Sequence, residues 1–147
     1  MLALGCDQAG YGLMQEVKKH LDERGLKYVD CGTYSEDSVD YPVYSKKVVK
    51  EILEGRCDRG ILICGTGIGV CIAANKVKGV YAALLNNVYQ AERAQLSNNA
   101  NVITLGAQVT GIELGKCLVR EYLANTYDSA SRSGPKVQAI VEYEAAN

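Results

Sequence analysis

The sequence predicts an α/β fold built on a parallel sheet. Three observations carry that expectation. Short runs of Leu, Ile, Val and Ala recur along the chain. Amphipathic stretches of roughly ten to fifteen residues separate them, the spacing of βαβ units. Glycines stand where one pattern gives way to the other.

Leu2–Cys6 reads as the first strand. Gly10–Arg24 then reads as a helix with Leu13, Val17 and Leu21 on one face, stopped by Gly25. Tyr28–Cys31 is a short second strand, and Gly32–Tyr41 a polar loop closed by Pro42. The helix Val43–Glu54 ends at Gly55, and Asp58–Cys64 holds the third strand. A glycine-rich turn opens the helix Gly67–Lys76. Val80–Leu85 is the fourth strand, Val88–Leu96 a helix, Val102–Leu105 the fifth strand and Gly111–Ala124 another helix. The tail Pro135–Ala145 reads as a last helix, expected to pack on a partner chain. Right-handed crossovers would then give a Rossmann-like three-layer α/β/α sandwich around a five-stranded parallel sheet. No linker, repeat or low-complexity segment interrupts the chain, so residues 1–147 are expected to form one domain.

Composition narrows the function. The formal net charge is −1 with no basic stripe, which argues against nucleic acid as a partner. No apolar run reaches the roughly 18 residues of a membrane span. Six cysteines include no Cys-x-x-Cys pair, and His20 is the only histidine, so neither a metal nor another cofactor is expected. Met1-Leu-Ala-Leu enters a strand directly, without a secretory pattern, and the expected location is the reducing cytoplasm. Cys6, Cys31, Cys64 and Cys71 lie in or beside apolar segments, as small buried hydrophobes do, and Cys71 is expected in the core. Phe and Trp are absent, so the core must be built from Leu, Ile, Val, Ala and Cys.

The segment from Ile61 to Lys76 is the most informative. An apolar run ends in Cys64, three alternate glycines follow (Gly65, Gly67, Gly69), and a helix-like pattern begins. A dinucleotide fingerprint would place Gly-x-Gly-x-x-Gly after the first strand, and a P-loop would close on Gly-Lys-Ser/Thr; neither is present. Two readings remain open. Cys64 is a nucleophile or base beside an anion hole of backbone amides, or an inert cysteine in a tight turn. Asp7 ends the first strand, and Asn86 and Asn87 end the fourth, on the same carboxyl edge of the sheet. That edge is where open α/β sheets place their chemistry. Taken singly, Asp7 is equally a helix N-cap.

Several segments together resemble a family. They are Asp7-x-Ala-Gly10, Asp30-x-Gly-Thr-Tyr34, Val39-Asp-Tyr-Pro42, Asp58-Arg-Gly-Ile-Leu-Ile-Cys-Gly-Thr-Gly-Ile-Gly69, Ala73-Ala-Asn-Lys76 and Ala100-Asn-Val-Ile-Thr-Leu-Gly106. In this order, over nearly the whole chain, they resemble the RpiB/LacAB sugar-phosphate isomerases. The resemblance implies interconversion of aldose and ketose phosphates through a cis-enediolate, without a metal. It implies a homodimer or tetramer with sites at the dimer interface. By the same resemblance Cys64 is the base and Thr66 moves or orients protons at the substrate oxygens. The amides of Gly65, Gly67, Ile68 and Gly69 form the anion hole, and Asn98 faces the reacting carbonyl. Asp7 and Tyr41 bind hydroxyls, and Arg132 and Lys136 hold the phosphate; read alone, those two are ordinary solvated surface charges.

The chain departs from the family pattern at three places. Gln8 follows Asp7 where the family has histidine, and Asn86-Asn87 stands for a His-Asp pair. Ser97, just before Asn98, replaces the histidine credited with opening the sugar ring. A tetrose 4-phosphate has its C4 oxygen blocked by phosphate and forms no stable furanose. An enzyme for erythrose and erythrulose 4-phosphates would therefore need no ring-opening acid. The text Ala91-Glu-Arg-Ala-Gln-Leu-Ser-Asn-Asn99, with Gly-Val-Cys-Ile72 and Arg132-Ser133, also resembles the tetrulose-phosphate branch. Gln8, Asn86 and Ser97 are retained as substrate-binding candidates. The alternatives are a general ribose-5-phosphate isomerase and a non-catalytic or heteromeric LacA/LacB-like sugar-phosphate-binding subunit.

Overall fold

Alternation along the central strands sets the layers of the molecule. The computed structural model describes residues 1–147. Its elements are β1 (Leu2–Cys6), α1 (Tyr11–Glu23), β2 (Tyr28–Asp30), α2 (Tyr41–Leu53), β3 (Arg59–Cys64) and α3 (Ile68–Asn75). Then follow β4 (Ala82–Leu84), α4 (Val88–Leu96), β5 (Val102–Gly106), α5 (Ile112–Ala124) and α6 (Gly134–Ala145). The five strands form one parallel sheet in the order β2-β1-β3-β5-β4. In β3, Ile61 and Ile63 join the core beneath α1, α4 and α5, whereas Leu62 and Cys64 join the core beneath α2 and α3. The period of two thus points the Cys64 side chain toward the α2/α3 layer.

Both cores are mainly aliphatic, but Met14 and the aromatic Tyr122 join the larger one, beyond the Leu, Ile, Val, Ala and Cys expected from composition. Leu13, Met14, Val17 and Leu21 of α1 meet Leu118 and Val119 of α5 on one face, and Val48 and Val49 of α2 meet Val70 and Ala74 of α3 on the other. Tyr122 is fully buried, and its hydroxyl donates to the Ala100 carbonyl at 2.7 Å. Burial of a Tyr is sustainable because that hydroxyl keeps a partner. No helix is long and apolar enough to cross a membrane.

The expected elements are all present, with instructive shifts. Pro42 does not close the preceding loop but sits in the first turn of α2, which begins at Tyr41. A first-turn proline gives up no helical hydrogen bond and its φ is already helical. Cys71, expected in the core, is only half-buried on α3, its thiol 3.6 Å from the Ala82 carbonyl. The tail helix α6 packs on its own chain. The Glu144 carboxylate accepts from Gly79 N–H at 3.2 Å and from the Tyr81 hydroxyl at 2.7 Å, and Val137 is buried. Ile140, Val141 and Tyr143 of that helix remain exposed.

The strand order also locates the site. β1 connects to β2 on one side of it, and β3 connects to β4 on the other, so the direction of connection reverses between β1 and β3. A crevice opens at the carboxyl ends of strands at such a point. Asp7 and Cys64 stand there.

Candidate active site

The turn after β3 is shaped around a sulfur atom. Gly67 adopts a left-handed φ of +78°. A Cβ there would meet Leu84 Cδ1 at 2.6 Å and the Leu105 carbonyl carbon at 2.8 Å, so both conformation and space demand glycine. The turn brings Gly67 N–H back to donate to Cys64 Sγ at 3.1 Å. Cys64 is 4% exposed and lies at the amino end of α3, where partial positive charge accumulates. The Gly67 N–H and the amino end of α3 both direct partial positive charge at the sulfur. Elsewhere in the sheet, burial pushes the Cys6 thiol up to about 12 and the Cys31 thiol up to about 11. Those two cysteines stay protonated at neutral pH.

Thr66 is exposed at the crest of the turn, and its Oγ1 accepts from Ile68 N–H at 3.3 Å. Two amides expected in the anion hole, those of Gly67 and Ile68, are therefore engaged by the Cys64 and Thr66 side chains. The turn is organised first around its own cysteine and threonine. The Gln108 side chain lies over Gly65, where an added Cβ would be 3.3 Å from its amide.

A cleft of about 480 Å³ collects Asp7, Tyr41, Cys64, Gly65, Thr66, Ile68 and Gly69. Asp7 is 7% exposed, and its Oδ1 accepts from Gly10 N–H at 3.0 Å, so it does shape the entry to α1. Its Oδ2 has no partner within the chain and remains available to a ligand. The Tyr41 ring covers Gly69 so closely that a Cβ there would lie 2.5 Å from the ring. Ala9 and Ile72 complete the walls, and neither carries a chemical signal in the sequence that marks it as lining. Ile68 and Ile72, four residues apart on α3, stand 51% and 55% exposed at the rim.

The remaining candidates lie elsewhere in the chain. Gln8 does not line the cleft; its Oε1 accepts from Val39 N–H at 3.0 Å and steadies the loop leading to Tyr41. Asn86 is exposed, with its N–H donating to Gln90 Oε1 at 2.8 Å, while Asn87 caps α4 by accepting from Gln90 N–H. Ser97 ends α4, and its Oγ accepts from Arg93 Nε at 2.6 Å. Asn98 lines a separate cleft of about 200 Å³ between β4 and α4, together with Gln90 and Arg93. Arg132 precedes α6 and Lys136 lies in its first turn, both exposed and outside either cleft. Arg93 was not identified from sequence; the Arg93/Ser97 spacing of four residues was the available signal. A third cavity, of about 370 Å³ beside Met1, Asp58 and Arg59, lies at the amino ends of the strands and holds none of these residues.

Comparison with known proteins accords with this geometry. The family model described as Ribose/Galactose Isomerase matches residues 2–140. Ribose-5-phosphate isomerase B of Escherichia coli K12 is 41% identical over 143 residues, covering 97% of this chain and 95% of that protein. D-erythrulose-4-phosphate isomerase of Pectobacterium atrosepticum is 42% identical over 147 residues, covering 97% and 94%. The solved structure of ribose-5-phosphate isomerase B from Clostridium thermocellum superposes with a TM-score of 0.94 at 40% identity, covering 99% of this chain and 97% of that one. The Cys64 turn at the β1/β3 crevice and the match along nearly the full chain lead to one conclusion: this chain belongs to the ribose/galactose isomerase (RpiB/LacAB) family and is a sugar-phosphate isomerase.

Proposed function

We propose that the chain interconverts an aldose phosphate and a ketose phosphate with Cys64 as the base, acting by preference on the four-carbon erythrose/erythrulose 4-phosphate pair. The observation that carries this reading is the Gly67 N–H donated to Cys64 Sγ in a cleft shared with Asp7 and Thr66. The thiolate takes the C2 proton of the aldose, becoming a thiol. The C–H electron pair forms the C1=C2 bond of the enediolate, and the carbonyl pair moves onto O1. Thr66 passes a proton between the two oxygens, moving it from O2 to O1. The Cys64 thiol then returns its proton to C1 as the ketone forms at C2. Asp7 Oδ2 and Tyr41 hold substrate hydroxyls.

The site is completed by a second copy of the chain. Asn98, Arg132 and Lys136 do not reach the Cys64 cleft of their own chain, and the exposed Ile68 and Ile72 at its rim suit a dimer contact. Arg132 and Lys136 of the second copy then bind the phosphate. Lys136 acts there as a point charge rather than a bidentate fork.

The four-carbon preference rests on Ser97. Its hydroxyl is tied to Arg93, and no imidazole stands beside Asn98 to open a ring. A relative named for ribose 5-phosphate and one named for erythrulose 4-phosphate are equally similar, so ribose 5-phosphate is the second reading. The test is turnover of erythrulose 4-phosphate against ribose 5-phosphate, with Cys64→Ala as control. Preference for the tetrulose, lost in the variant, supports both parts. Preference for ribose 5-phosphate discards the four-carbon assignment, and an active Cys64→Ala enzyme discards the base.

A further inference from the structure

We propose that Arg93 is the specificity-determining residue of the β4/α4 cleft, presenting a fixed cationic donor to the oxygens at the reacting end of an open-chain substrate held at the Cys64 cleft of a second copy of the chain. The inference deepens the isomerase reading above and rests on it. Arg93 lies in α4 one turn before Ser97, and its Nε donates to Ser97 Oγ at 2.6 Å. Its other neighbour, Glu92 at 3.5 Å, is the adjacent residue on the helix and cannot face it squarely. Ser97 therefore aims the guanidinium, which is 31% exposed, toward the cleft it shares with Asn98.

The donors in that cleft are unengaged. Arg93 Nη2 has no hydrogen bond or ion pair, and the Asn98 side chain has none. Gln90 uses its Oε1 for Asn86 N–H and leaves its amide NH2 free. Three donor groups thus line one space of about 200 Å³, walled by the apolar Leu84, Leu85 and Ala94. Preorganised donors against a low-dielectric wall are the arrangement that stabilises developing negative charge on oxygen.

A guanidinium keeps its proton throughout the working pH range. Arg93 can therefore stabilise an enediolate oxygen but cannot exchange protons to open a furanose. Its presence beside Ser97 selects sugars that are already open.

The test is calorimetric titration of the full-length protein with two ligands, erythronate 4-phosphate and inorganic phosphate. The aldonate carries a carboxylate where the enediolate forms; inorganic phosphate reports the other end of the site. Arg93→Met is expected to weaken the aldonate by about ten- to a hundredfold, the effect of losing a charge-assisted hydrogen bond, while leaving phosphate within about twofold. Arg93→Lys should fall between Arg93→Met and wild type. An unchanged aldonate affinity, or equal weakening of both ligands, overturns the proposal. If Arg93→Met does not fold by circular dichroism, Arg93→Lys and Ser97→Ala give the same two-ligand comparison. Wild-type protein that binds both ligands but turns over neither tetrulose nor pentose phosphate sinks the functional reading while the variants still decide Arg93. Wild-type protein that binds neither ligand overturns both.

Discussion

Gly67 donates its backbone N–H to the sulfur of Cys64 at 3.1 Å, and it does so from a left-handed φ of +78° with Leu84 Cδ1 2.6 Å from where a Cβ would stand. One residue thus carries the conformation, the space and the hydrogen bond around the sulfur on which the proposed role of Cys64 as base rests.

Gly67→Ala should therefore cost both stability and activity. The left-handed strain and the 2.6 Å approach to Leu84 together predict a loss of about 1–3 kcal/mol in urea denaturation. Iodoacetamide mapping by mass spectrometry should show slower alkylation of Cys64, with Cys71 and Cys117 unaffected. Wild-type-like alkylation of Cys64 in a folded Gly67→Ala protein would falsify the role given to that N–H.

Sites completed by a second copy, as proposed, predict complementation. Cys64→Ala and the double variant Asn98→Ala/Arg132→Ala should each fall by about a hundredfold or more in turnover. Refolded together, they form mixed dimers in which one of the two sites is intact. Activity should then recover to about a quarter of wild type, the statistical share of intact sites in a symmetric dimer. Failure of the mixture to regain activity, with dimers present by ultracentrifugation, places the whole site within one chain.

Ser97→His returns an acid/base to the position beside Asn98 and releases the guanidinium of Arg93 from its anchor. The ratio of kcat/KM for ribose 5-phosphate to that for erythrulose 4-phosphate should rise by about tenfold or more, the low end of general acid–base effects. A ratio unmoved by the substitution would mean that ring opening does not limit this enzyme's substrate range.

His20 offers a stability test away from the site. It is buried on α1 with Nε2 unpartnered, and burial, followed by the charges of Arg24, Arg120 and Lys116, holds its pKa below the usual histidine value; Glu23 opposes them. A depressed histidine pKa means that the unfolded chain takes up a proton more readily than the folded one. Stability is therefore full above the unfolded pKa of about 6.5 and declines as pH falls below it. His20→Leu should flatten that decline and raise stability at neutral pH by about 1–3 kcal/mol, the cost of an unsatisfied buried polar atom. Thermal melts from pH 7 down to pH 5 read both effects, and turnover should not change.

Much of the fold is legible in the chain because its signals are local. The alternation in Ile61-Leu-Ile-Cys64, the helical spacing of Leu13, Val17 and Leu21, and the breaks at Gly25 and Gly55 each follow from backbone geometry over a few residues. The turn after β3 is legible for the same reason: only glycine suits the left-handed position 67 on the path from Cys64 into α3. Boundaries shifted where a local signal had two meanings, as with Pro42, which ends loops and begins helices with equal ease.

The sequence by itself determined the layered fold, the family and the placement of Asp7 and Cys64 on one sheet edge, because strand polarity and residue period are carried by neighbouring residues. Only the tertiary structure decided that Gly67 N–H faces the sulfur, that Cys71 stays out of the core, and that Asn98 opens into a different cleft from Cys64. It also turned Arg93 from one charge among many on a polar helix face into the guanidinium anchored by Ser97. Such relationships depend on how side chains from distant segments converge in space, and residue spacing along a chain does not encode that distance.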